Sequence, residues 1–151
     1  MLALGKSIRI ALLAALGCVA GTQAYATDTT FFAILKGGNE VSAGGQANAG
    51  DPDGYGSASV VFRSNGRICY SIIVMRIDRP TAAHIHRGNA GVNGPIVVPL
   101  TPPVGGSLGH VSDCIAIDPA VGGNIRNDSA GFYVNVHTGQ FPGGALRGQL
   151  F

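Results

Sequence analysis

Apolar residues in this chain come in short runs broken by glycine, proline and asparagine, and no run sustains a helical period. Runs rich in Val, Ile, Phe and Tyr predict strands at "FFAILK" (31–36), "GSASVVFR" (56–63), "ICYSIIVMRI" (68–77), "AAHIH" (82–86), "PIVVPL" (95–100), "HVSDCIAI" (110–117), "FYVNVHT" (132–138) and "ALRGQLF" (145–151). The second and third flank Asn65-Gly66, which supplies the positive φ angles of a tight hairpin turn. One short helix or helical turn fits residues 118–128, with Asp118 as cap and Pro119 at the first helical position, and Gly122-Gly123 is expected to cut it short.

The segment 39–56, "NEVSAGGQANAGDPDGYG", reads as a surface connection from its Gly, Ala and Asp content. About seven or eight strands in one chain of this size predict an all-β Greek-key sandwich or closed barrel.

The whole-chain composition, 46% hydrophobic and 12% charged with formal net charge +2, mixes two unlike parts. Lys6 and Arg9 precede the apolar stretch "IALLAALGCVAG", and "AYA" at 24–26 offers small residues where signal peptidase reads them. Residues 1–26 are therefore expected to be a signal peptide cleaved before Thr27, leaving one domain over 27–151. The competing expectation is lipidation at Cys18, although Ala15 stands where lipoprotein signals usually carry leucine. On either route the protein is exported to the periplasm, cell surface or medium. No second hydrophobic span follows, so no membrane span is expected after cleavage.

Lys6 and Arg9 are two of the 10 basic residues, and all 8 acidic ones lie beyond the leader, so the remaining domain is formally neutral. That balance gives no footprint for nucleic acid. Once the leader and Cys18 are gone, Cys69 and Cys114 form an even pair in an oxidising compartment, and a disulfide is the expected reading over a thiolate metal or redox site, since no C-x-x-C is present.

Four stretches then line up in order: "LKGGNEV", "GRICYSIIV", "AHIHRGNAGVNGPIVVPL" and "FYVNVHTGQFPGGALRGQLF". Together they resemble the CHRD domain, the module named from chordin and found also in exported bacterial proteins. The resemblance covers 31–151 and implies an exported, non-catalytic binding or interaction module whose partner is an unidentified protein or surface ligand. In chordin the domains belong to a secreted antagonist of bone morphogenetic proteins. The cysteine-rich modules that accompany them there are missing from this sequence, so growth-factor binding is not carried over.

Candidate chemistry centres on three histidines. Strand alternation puts His84 and His86 on one face with Ile85 on the other, and puts Tyr133, Asn135 and His137 together on one face of the later strand. If the two strands meet, three imidazoles converge, and imidazole suits copper and zinc. His110 is a further candidate ligand. This constellation is similar to the copper-zinc superoxide dismutases, which also carry His-x-His on a β-sandwich strand with a later histidine and an arginine near the C-terminus, here His137 and Arg147. It departs from them at the zinc subsite, since "RGNAGVNGP" holds no histidine or aspartate, so efficient dismutation is not expected. The fold expectation is thus an immunoglobulin-like or superoxide-dismutase-like sandwich, and two functional readings stand: an interaction module with structural histidines, or a copper- or zinc-binding protein with a weak redox activity.

Three neighbours of the histidines also invite a role. Arg87 and the glycines of 88–94 suit either an anion or a simple strand reversal, and the absence of a helix start favours the reversal. Arg147 is expected to pair with an aspartate such as Asp78 or Asp113, or else to face a ligand beside the histidines. Asn135 is a candidate partner for the imidazoles, and Tyr70 and Tyr133 are expected to be half-buried packing aromatics. Asn127-Asp128-Ser129 matches a glycosylation sequon that matters only on a eukaryotic secretory route.

Overall fold

The computed structural model describes residues 27–104 and 109–151, so the expected signal peptide and Cys18 lie outside the described residues. Eight antiparallel strands appear in chain order: β1 (Thr29–Lys36), β2 (Tyr55–Phe62), β3 (Arg67–Met75), β4 (Pro80–Arg87), β5 (Ile96–Leu100), β6 (Gly109–Ala116), β7 (Phe132–Thr138) and β8 (Leu146–Gln149). They form one curled sheet in the order β5-β4-β7-β8-β1-β2-β3-β6. The fold is all-β, as the sequence predicts.

The sheet has two halves joined by a narrow seam. Strands β1 and β8 share the single register pair Lys36–Arg147, reinforced where Phe32 and Phe151 exchange both backbone hydrogen bonds at 3.0 Å. At the opposite side the edge strands approach each other through side chains. The Thr101 amide donates to the Tyr70 hydroxyl at 2.8 Å, and the Thr101 hydroxyl donates to Asp113 at 3.1 Å. The curl thus brings the residue after β5 up to β3 and β6.

Alternating residues fill the interior: Leu35 from β1, Phe62 from β2, Ile72 from β3, Ile85 from β4, Val134 from β7 and Leu146 from β8 are all buried. Each such side chain contributes about 1.5 to 3 kcal/mol of transfer free energy. Tyr70 belongs to the same core, more deeply than half-buried. Cys69 and Cys114 are register partners on β3 and β6, with Cα atoms 4.0 Å apart, and their sulfurs are bonded.

The helix α1 (Pro119–Asn127) corrects one expectation, because it runs through Gly122-Gly123. Asp118 caps it by accepting from the Ala120 and Val121 amides, a contribution of about 1 kcal/mol. Ile125, fully buried in the core, anchors the turn beyond the glycines, and the Arg126 guanidinium lies 5.2 Å from the Phe62 ring centroid. Tertiary anchoring outweighs the roughly 1 kcal/mol that each glycine costs a helix.

The segment after β1 is only partly open to solvent. It runs over the surface at 43–48, as expected, but it is tied down at its ends: a 3₁₀ turn at Gly37–Asn39 leads into an isolated bridge between Val41 and Ala47, and Glu40, Val41 and Asp51 are buried. The Asp51 amide donates to the Ala145 carbonyl at 2.9 Å, tying the segment down beside β8.

Candidate metal centre

The outer face of β4, β7 and β8 carries polar side chains, yet most of it is buried. Register sets His84 opposite Asn135, His86 opposite Tyr133 and Ala82 opposite His137, while Arg147 lies opposite Asn135 and Gln149 opposite Tyr133. Two segments cover this patch, 37–51 and 88–94, and they are pinned to each other. Asn93 donates from Nδ2 to the Val41 and Ser42 carbonyls at 3.0 and 2.8 Å.

Residues 88–94 form the excursion between β4 and β5. The Arg87 amide donates to the Pro95 carbonyl at 3.0 Å and closes its base. Gly94 packs so tightly there that a Cβ would lie 1.6 Å from the Arg87 carbonyl oxygen, which only glycine permits. The loop reverses two strands, and Arg87 points outward over the Phe132 ring with its guanidinium carbon 5.5 Å from the centroid.

Arg147 holds the loop from below. It is 1% exposed and pairs with neither Asp78 nor Asp113, correcting the expected ion pair. Its guanidinium donates instead to Asn93 Oδ1 at 3.2 Å and to the Asn89 and Val92 carbonyls at 2.9 and 2.7 Å. The rigid fork of donors suits a set of loop carbonyls as well as it suits a carboxylate. With its donors so engaged, Arg147 does not offer an anion guide at the histidines.

Three imidazoles come together at the edge of this patch. The His84 ring centroid lies 5.5 Å from that of His86 and 5.1 Å from that of His137. One ring nitrogen from each residue falls within 4.8 Å of the others, the only group of three or more such ligand residues among the described ones. His110 stands outside it, on β6 opposite Ile73, so the fourth-ligand expectation is corrected.

Backbone carbonyls fix two of the tautomers. His86 Nδ1 lies 2.9 Å from the Gly94 oxygen and His137 Nδ1 lies 3.0 Å from the Pro142 oxygen. A carbonyl only accepts, so both Nδ1 atoms carry the proton and both Nε2 atoms present lone pairs. His86 Nε2 is buried and makes no hydrogen bond. His137 Nε2 lies 3.2 Å from His84 Nδ1. A proton on His84 Nδ1 makes that contact a hydrogen bond; with the proton on Nε2 instead, three lone pairs face one point.

The donor set fits a transition metal. Three nitrogens each about 2.0 to 2.1 Å from one ion at tetrahedral angles stand about 3.3 Å apart. The His84–His137 pair is at that separation already, and one ring nitrogen of His86 lies within 4.8 Å of the other two. Burial lowers the pKa of both His84 and His86. At His84 the neighbouring His137 and His86 add to the effect; at His86 the hydrogen bond to Gly94 opposes it and His137 adds to it. Both rings are thereby held neutral, the form in which imidazole binds metal.

Asn135 does not bond the imidazoles. Its Nδ2 donates to the Leu146 carbonyl at 2.8 Å and to a carboxylate oxygen of Glu40. Glu40 is the residue that sequence reasoning passes over. Its one local signal is an acidic residue directly followed by a β-branched apolar one in "NEV", at the start of a segment with no other β-branched residue.

The chain belongs to the CHRD domain family, whose model matches residues 31–150. No curated protein and no solved structure is significantly similar to it.

Proposed function

We propose that this CHRD domain is an exported metal-binding module that holds a copper or zinc ion through His84 Nδ1, His86 Nε2 and His137 Nε2. The observation that supports it is the pair of carbonyl-fixed tautomers, because a metal-bound histidine characteristically donates its other ring N–H to just such a partner. Three nitrogens leave an open coordination position, and nitrogen donors favour copper(II) over zinc on affinity alone. Among the described residues no second group of three or more such ligands accompanies the cluster, and the proposed role is binding and presentation of an ion. Export follows from the basic and apolar N-terminal segment, and the disulfide is compatible with an oxidising compartment. Among the described residues no helix is long and apolar enough to cross a membrane.

A second reading, an interaction module with structural histidines, draws on the fact that each imidazole already has a hydrogen-bond partner. Elemental analysis of the purified protein separates the two. The metal reading expects about one copper or zinc per chain after loading and desalting, lost in a His84→Ala/His86→Ala variant that retains its far-ultraviolet circular dichroism. A metal-free wild type and an unfolded variant would leave the structural reading standing.

A further inference from the structure

Glu40 is 3% exposed, and no cation pairs with it. Among the described residues the one ion pair is Arg63–Asp28 at 2.8 Å, on the surface. Both Glu40 oxygens act as acceptors, Oε1 from the Val41 amide at 3.0 Å and Oε2 from Asn135 Nδ2. Asn135 is the register partner of His84 and lies between Tyr133 and His137 on the same face, so the carboxylate hangs over the histidine patch. It is held there tightly. A Cβ on Gly144 would lie 2.2 Å from Glu40 Oε2, and Gly144 has φ of +142°, a conformation that favours glycine. A cavity of about 250 Å³ lined by Glu40, Val41, Pro142 and Gly144 opens beside it.

A buried carboxylate without a counter-ion is costly, and an adjacent cation offsets that cost. The three imidazoles are neutral when they bind metal, so the ion itself is the charge that Glu40 would answer. Arg147 is the competing cation, but its guanidinium lies against the Tyr133 ring and is engaged by the 88–94 loop.

Resting on the metal reading, we infer that Glu40 is the charge-compensating residue of the site, a positioning residue that touches no metal and biases the site towards divalent ions. A fixed charge acts on a doubly charged ion with twice the energy it exerts on a singly charged one. Its removal therefore weakens zinc(II) and copper(II) by the square of the factor by which it weakens copper(I).

The test is competitive titration of copper(I), copper(II) and zinc(II) into the full chain, its Glu40→Gln variant and its Glu40→Asp variant, with circular dichroism as the fold control. In Glu40→Gln, copper(I) affinity falls about tenfold and both divalent affinities about a hundredfold, a differential of about tenfold that raises the copper potential by about 59 mV. Glu40→Asp, which keeps the charge, retains most of the wild-type ratio. Equal loss for all three ions, or the same ratio change in both variants, would overturn the role of Glu40 while leaving the metal site intact. A wild type that takes up none of the three ions overturns both. Should Glu40→Gln fail to fold, Glu40→Ala, which also removes the charge, carries the same comparison, and an equal loss for all three ions there overturns the role of Glu40.

Discussion

The Tyr133 ring lies parallel to the His86 imidazole, with centroids 4.8 Å apart and planes 8° from coplanar, and the Arg147 guanidinium carbon sits 3.5 Å from its centroid. Strands β4 and β8 flank β7, so imidazole and guanidinium approach the ring from opposite sides. The stack ties the ligand strand to the loop clamp through one buried side chain. Tyr133→Leu removes both faces and is expected to cost about 2 to 3 kcal/mol in urea unfolding, from a desolvated cation–π contact and an aromatic pair. Tyr133→Phe, which keeps both faces and gives up the hydroxyl contact to the Gly94 amide, is expected to cost about 1 kcal/mol.

Removing the clamp itself has a larger effect. Arg147→Ala leaves the Asn89 and Val92 carbonyls and Asn93 without their donor, and a loss of about 3 to 5 kcal/mol is expected, with faster amide hydrogen exchange across 88–94. Arg147→Lys recovers only part of this, because an ammonium does not reproduce the planar fork. A lysine variant as stable as wild type would contradict the geometry.

The histidines set a pH dependence for the metal-free protein. The folded pKa values of His84 and His86 lie below the unfolded value of about 6.5, so just below that pH the unfolded chain binds more protons than the folded one. Stability therefore falls as pH drops through about 6.5 towards the folded values, and rises again on returning to neutral pH. Thermal melts between pH 5 and 8 should show this slope, and a His84→Gln/His86→Gln variant should flatten it. Bound metal competes with the same protons, so metal release is expected over the same interval.

Breaking the Cys69–Cys114 bond acts elsewhere. With 45 residues of separation, chain entropy gives about 3 to 4 kcal/mol. The double Cys→Ala variant should lose that stability yet keep its metal stoichiometry, since the bond joins β3 and β6 and the histidines stand on β4 and β7. Unreduced peptide mapping should recover the two cysteines as one linked pair.

How much of this is legible in the sequence depends on whether a residue's neighbours are near in the chain. Alternation places His84 and His86 on one face and Ile85 in the core without any structure. It also places Tyr133, Asn135 and His137 together. Whether the two faces meet is a matter of register between strands separated by three elements, and no local pattern encodes it. The same limit explains Arg147, whose partners are backbone carbonyls that look alike at every position. Glu40 is hidden differently. The glycine and alanine around it imply solvent, and its burial comes from Asn135 and the turn at Gly144, about 100 residues away. At Gly122-Gly123 the local signal is real, and the core contact of Ile125 overrides it.

The bonded cysteines have a last implication for traffic through the site. Thiolate is a softer ligand than imidazole and holds copper(I) more strongly. Both cysteines among the described residues are in the disulfide, so on the proposed metal reading an ion at His84, His86 and His137 would be held by nitrogen alone. If the proposed site is filled, such an ion would remain exchangeable: a thiol-bearing acceptor would draw copper(I) away downhill, and the domain would be a donor in that exchange rather than its end point.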